Sequence, residues 1–181
     1  MSILVPVVST GITLTEIPDR ITYFIELGNC TQHCAGCHSP YLADSVISRP
    51  TLAGVERMVE RAAERGANAI ALMGGTTNGI SDDDLITILT TLSCILPVCL
   101  YSGSDDAEHD KYIAQKSGVT WLKTGSYREE RGGLSSPSTN QRFYKLTDRF
   151  VLDHKETIIQ RDTIFHDITH LFQTQKGATC T

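Results

Sequence analysis

Runs of β-branched, aromatic and aliphatic residues alternate along this chain with windows whose apolar residues recur at helical spacing. This alternation constrains the fold more than any other feature, because strands joined by helices lie parallel in one sheet. Residues 21–27 (ITYFIEL) end at Gly28 and read as a first strand. Thr51 caps a helix that carries Leu52, Val55, Val59 and Ala62 on one face and closes at Gly66. Residues 67–73 (ANAIALM) form a strand of the buried type, stopped by Gly74 and Gly75. Ser81 with Asp82, Asp83 and Asp84 is a capping box with an acidic first turn, leading a helix with Leu85, Ile88, Leu89 and Leu92 inward. A third strand at 98–101, a weaker helix at 105–117 ending at Gly118 and a fourth strand at 119–122 complete the regular part.

After Lys123 the regularity fades. Residues 132–141 read as a turn-rich loop, and 142–146 and 149–152 as a hairpin or edge strands around Thr147 and Asp148. Residues 164–172 read as a short last element. The chain is expected to be one α/β domain over 1–181, with a lead segment at 1–20 and a loose tail at 173–181. Crossovers of one hand bring all parallel strand C-termini to the same face. The loops at 28–37, 74–78, 102–104 and 123–126 should therefore converge, and in barrels of this type that face holds the active site.

Charge and hydropathy exclude several partners. A formal net charge of −5 with a pI near 5.6 argues against nucleic acid, and there is no basic run to meet an anionic membrane. No apolar stretch reaches the length of a membrane span, and residues 1–8 lack the positive start of a signal peptide, so a cytoplasmic location is expected. In a reducing compartment the six cysteines are ligands, reactive thiols or small buried hydrophobes rather than disulfides. Cys94, Cys99 and Cys180 are scattered, the first two read as small buried hydrophobes and the last as an exposed thiol.

Cys30, Cys34 and Cys37 crowd into the loop GNCTQHCAGCHSP with spacing C-x3-C-x2-C. Three thiolates are one short of the set for a closed cluster or a structural zinc. A [4Fe-4S] cluster held by them keeps one iron open, where S-adenosylmethionine can chelate. A zinc site completed by His33 or His38 is the competing reading. Gly74 and Gly75 are either a plain strand-to-helix turn or a side-chain-free edge for the methionine moiety of such a ligand.

This spacing, in a loop directly after a first strand, resembles that of radical S-adenosylmethionine enzymes. Within them, TEIPDRITYFIELGNCTQHCAGCHSPYL, LMGGTTN, LYSG, WLKTGSYREERGGLSSPSTNQRFYKL and DITHLF resemble, in order, the activating proteins of anaerobic (class III) ribonucleoside-triphosphate reductases. The resemblance spans residues 15–172, and its most particular part is LKTG…GGL-S-P-TNQRFY. It implies a glycyl-radical activase with an incomplete, open parallel (β/α) barrel. The length agrees, since eight units of about 30 residues need roughly 250. The implied cofactors are a [4Fe-4S] cluster and S-adenosyl-L-methionine. The implied partners are the reductase large subunit and a one-electron donor such as a flavodoxin.

Carried over by position, Cys30, Cys34 and Cys37 are the cluster ligands, with Gly36 and His38 beside the cofactor. Gly74 and Gly75 match the methionine-binding pair, Ser102 the loop after the third strand, and Lys123 a basic position that can reach the cofactor carboxylate. Thr76 departs from the pattern: an acidic residue usually follows the glycine pair, so here a hydroxyl or a backbone carbonyl must meet the amino group. A related activase, of the formate acetyltransferase type, is the alternative within this chemistry, and the TNQRFY segment argues against it. Residues 128–131 read as a solvated charged turn, and 132–144 as either a partner-docking loop or a packed Ω-loop.

Overall fold

The structure is a computed structural model and describes residues 2–45, 48–152 and 158–173, with backbone only for 151–152 and 158–161. The expectations for residues 174–181, Cys180 among them, thus lie outside the described residues; Cys99 is buried as expected, whereas Cys94, expected to be buried, is exposed. Seven strands form one open sheet in the order β1-β2-β3-β4-β5-β6-β7. They are β1 Val7–Thr13, β2 Thr22–Leu27, β3 Ala69–Met73, β4 Val98–Tyr101, β5 Trp121–Thr124, β6 Arg142–Leu152 and β7 Ile158–Asp167. Strands β2 to β5 are parallel, whereas β1, β6 and β7 each join antiparallel. The expected parallel sheet is therefore found as a four-stranded parallel core inside a mixed sheet, with antiparallel additions at both edges.

Three helices make the crossovers: α1 Leu52–Glu64, α2 Asp82–Ser93 and α3 Ala107–Ser117. Strands β2 to β5 are sequential neighbours, so every right-handed crossover steps the same way and its helix lands on the same face. One core confirms it. Val55 and Val59 of α1, Leu85, Ile88, Leu89 and Leu92 of α2, and Ile113 of α3 pack on Ile25, Ile70, Leu72, Leu100 and Leu122 of the strands. The opposite face carries no α-helix among the described residues. Ala69, Cys99, Trp121 and Phe143 lie there, in a second cluster with Ile17, Leu134 and Phe172.

The helix starts follow the sequence. The Thr51 hydroxyl accepts from Gly54 N at 3.2 Å, and the Ser81 hydroxyl accepts from Asp84 N at 3.2 Å, so both caps form. The third helix begins two residues later than its expected start, because the Asp106 carboxylate caps it through His109 N at 3.0 Å.

Three readings of the strands are corrected. The lead segment contains β1, whose ladder pairs Gly11 with Phe24 and Thr13 with Thr22. The fourth parallel strand, β5, runs two residues beyond its expected end and contains Lys123. Thr147 and Asp148 make no turn: they sit inside β6 opposite Ile164 and Thr163. The Thr147 hydroxyl meets His166 at 2.8 Å and Asp148 accepts from Thr163 at 3.0 Å, so cross-strand polar pairs replace the turn. The expected last element at 164–172 is the end of β7 plus a 3₁₀ turn at Thr169–Phe172.

Candidate functional site

The four parallel strands end together, and side chains alternate across their faces. Register places Glu26, Met73, Tyr101 and Lys123 side by side on the helix-free face, one per strand. Above this row the strand-end loops enclose a cleft of about 540 Å³. Cys30, Cys37, His38, Gly74, Ser102 and Lys123 all line it, so six of the ten expected site residues converge. Cys34, Gly36, Gly75 and Thr76 lie beside it.

The cysteine loop leaves β2. Cys30 N donates to Leu42 O at 3.1 Å, and Thr31 N donates to Thr77 O at 3.1 Å, tying the loop to both neighbours. Cys37 N donates to Cys34 O at 3.2 Å and Ser39 N points at Cys37 Sγ at 3.4 Å, a turn that faces an amide toward sulfur. All three cysteines are free and partly buried. This is the donor chemistry of iron–sulfur ligation, one thiol short of a closed set. Among the described residues no three Cys, His, Asp or Glu side chains are gathered as a metal-binding group, so the loop presents its donors without closing them on one point. The His38 ring meets Tyr127 edge-on at 4.9 Å. A Cβ on Gly36 would stand 2.9 Å from Glu129 Cδ, so the turn at 128–131, expected to be merely solvated, leans on the cysteine loop.

The glycine pair is shaped by Asn78, which sequence reasoning passed over. Asn78 is buried; its Oδ1 accepts from Gly75 N at 2.7 Å, and its Nδ2 donates to Leu27 O at 2.9 Å and Gly28 O at 2.7 Å. One side chain thus joins the end of β3 to the start of the cysteine loop. Gly74 and Gly75 have φ of +110° and +117°, where L side chains are strained. A Cβ on Gly74 would also lie 2.5 Å from Asn78 Oδ1. Thr76 turns away from the cleft: its hydroxyl pairs with Ser102 Oγ at 2.7 Å.

Beneath these loops lies a buried polar group on α3. Asp110 is fully buried on the face that also carries Ile113, Ala114 and Ser117, spacing that marks it as inward-facing. Thr124 donates to its Oδ2, and its Oδ1 has no direct hydrogen-bond partner among the described residues. Burial pushes its pKa up, against the opposing pull of the Thr124, Ser102 and Thr76 hydroxyls. Lys123 is 7% exposed and donates to Gly125 O at 2.7 Å and Ser102 O at 3.1 Å. Burial lowers its pKa to about 8, while the negative charges of Asp110 and Cys34 favour its protonated form. The cleft therefore holds an ammonium with little water around it, suited to an anionic ligand group.

Residues 132–142 are stapled inward. Asn140 Nδ2 donates to Ser126 O at 3.0 Å, and Arg142 donates to Thr139 O and Gln141 O at 3.0 and 2.9 Å. Thr139 and Gln141 are buried. These contacts make the segment a packed wall of the site. No helix among the described residues is long and apolar enough to cross a membrane. No protein-family model, curated protein or solved structure matches the chain.

Proposed function

We propose that this chain is a radical S-adenosylmethionine activase, generating the glycyl radical of an anaerobic ribonucleoside-triphosphate reductase. The observation that carries the reading is the C-x3-C-x2-C loop at a strand C-terminus, opening on one cleft with the ends of the other parallel strands. In this reading the open sheet, with its three helices on one face, is an incomplete barrel of the radical S-adenosylmethionine type.

Cys30, Cys34 and Cys37 would hold a [4Fe-4S] cluster through their thiolates. Such a cluster would supply the electron for reductive cleavage of S-adenosylmethionine, chemistry that would furnish a 5′-deoxyadenosyl radical for a glycine Cα of the reductase large subunit. The chain's own groups position the reactants. Gly74, lacking a side chain, leaves the strand edge open to the methionine moiety. Lys123 faces the same cleft and offers a poorly hydrated ammonium to a carboxylate. Asn78 fixes the distance between the cysteine and glycine loops. The electron would come from a small carrier such as a flavodoxin.

Anaerobic reconstitution with iron and sulfide, then reduction with S-adenosylmethionine present, tests the proposal. The expected result is a brown protein with about four irons that forms 5′-deoxyadenosine. A chain that retains zinc at the three cysteines and cleaves nothing contradicts it and supports a zinc module.

A further inference from the structure

Glu26 is the one acidic side chain in the row of four at the strand ends, and only 9% of it is exposed. Its Oε1 accepts from the Tyr41 hydroxyl at 2.8 Å. Its Oε2 takes no hydrogen bond from the described residues, and Glu26 lines the cleft beside Gly74. Lys123 is not its counter-ion. Two strands separate them, which places their Cα atoms three spacings of about 4.8 Å, roughly 14 Å, apart. Lys123 spends two of its three donors on Ser102 O and Gly125 O.

Glu26 thus turns one open carboxylate oxygen toward the cleft, with no cation paired to it among the described residues, where a ligand's donor can meet it. Thr76, the residue after the glycine pair, is not available for that task, because its hydroxyl is engaged by Ser102. Glu26 is paired in register with Met73, directly before Gly74, so its open oxygen and the glycine edge serve the same end of the cleft.

We infer that Glu26 is a binding residue for a ligand's primary amine, accepting an N–H at Oε2 while Tyr41 holds Oε1. This rests on the reading of the cleft as an S-adenosylmethionine site, and it assigns to Glu26 the amino end of the methionine moiety. Specificity follows. Nucleosides that carry the α-amino group are favoured over those that end at the thioether, and a ligand with a carboxylate in its place is repelled.

Titration calorimetry on the anaerobically reconstituted protein separates the two ideas, with S-adenosylhomocysteine and 5′-methylthioadenosine as probes. Glu26→Gln keeps the shape and an acceptor for Tyr41 but removes the charge. It should weaken S-adenosylhomocysteine by about tenfold or more and leave 5′-methylthioadenosine unchanged, since charge-assisted hydrogen bonds are roughly twice as strong as neutral ones. Tyr41→Phe leaves the carboxylate in place but unheld. It should give a smaller loss, again only for the amino-bearing probe. An unchanged ratio of the two affinities in Glu26→Gln, or equal losses for both probes, overturns the assignment while leaving the cleft a nucleoside site. A wild-type protein that binds neither probe contradicts the parent reading, and the assignment falls with it.

Discussion

Replacing Asn78 with alanine deletes one hydrogen bond from Gly75 N at 2.7 Å and two to Leu27 O and Gly28 O at 2.9 and 2.7 Å. The side chain is 3% exposed, so water does not readily replace them. At about 1 kcal/mol net for each bond, the loss is about 3 kcal/mol before any cavity term. In a chain of this size 1 kcal/mol moves the midpoint by about 2–4 °C, so the melting temperature should fall by about 6–12 °C. Circular dichroism melting under reducing, anaerobic conditions measures it.

Asn78→Asp gives the contrast. One oxygen still accepts from Gly75 N, but the other would face two carbonyl oxygens. Both the burial and that repulsion raise the carboxyl pKa in the folded state above its ordinary value near 3.9. The loss of stability is therefore full at neutral pH and shrinks as pH falls through the raised pKa, where the protonated acid can donate one bond. A drop below about 2 °C for Asn78→Ala, or a pH-independent penalty for Asn78→Asp, would refute the claim that this residue ties the loops together.

Three further outcomes are expected. Lys123→Met should abolish binding of the carboxylate end of the ligand without lowering stability greatly, because it also removes a buried charge. The wild type should gain stability relative to this variant between about pH 8, the folded pKa, and the ordinary lysine value near 10.4, where the unfolded chain binds more protons. Paired chemical denaturation series show whether that gain is present or missing. Gly74→Ala should cost about 2–4 kcal/mol through its positive φ and the collision with Asn78, read from the urea midpoint; near-neutral stability would show that the turn relaxes. Cys30→Ala, Cys34→Ala and Cys37→Ala should each lose iron after reconstitution, while Cys94→Ala and Cys99→Ala retain it. Iron and sulfide assays check this, and an essential Cys99 would undo the ligand assignment.

Much of the fold is legible in the sequence because its signals are local. Thr51 and Ser81 cap by short-range hydrogen bonds, and strand β4 is bounded by a proline and by Ser102 and Gly103. What escapes are elements whose stability comes from partners far along the chain. The run 7–13 (VVSTGIT) is polar on one side and broken by Gly11, and it becomes a strand only by pairing with β2. Thr147 and Asp148 look like a turn until β7 supplies cross-strand partners. Lys123 ends a hydrophobic reading of β5, yet it continues the strand with its side chain on the helix-free face.

The site divides in the same way. The cysteines and the glycine pair announce themselves by spacing, whereas Glu26, Asn78 and Asp110 gain their meaning from burial. Two of these had a visible signal. Glu26 is an acid inside the apolar run ITYFIEL, and Asp110 is an acid three residues before Ile113 on the inward face of its helix. Asn78 had none, because its bonds to residues 27 and 28 cross fifty positions of sequence.

In the proposed function the cysteine cleft makes a radical that is delivered to another protein's glycine. Electron paramagnetic resonance tests it most directly, on the reconstituted chain incubated with anaerobic ribonucleoside-triphosphate reductase, a reductant and S-adenosylmethionine. The expected result is a glycyl-radical doublet that vanishes when Cys30, Cys34 or Cys37 is replaced. No doublet with the intact chain, despite a reductase that a known activase can charge in the same buffer, would contradict it.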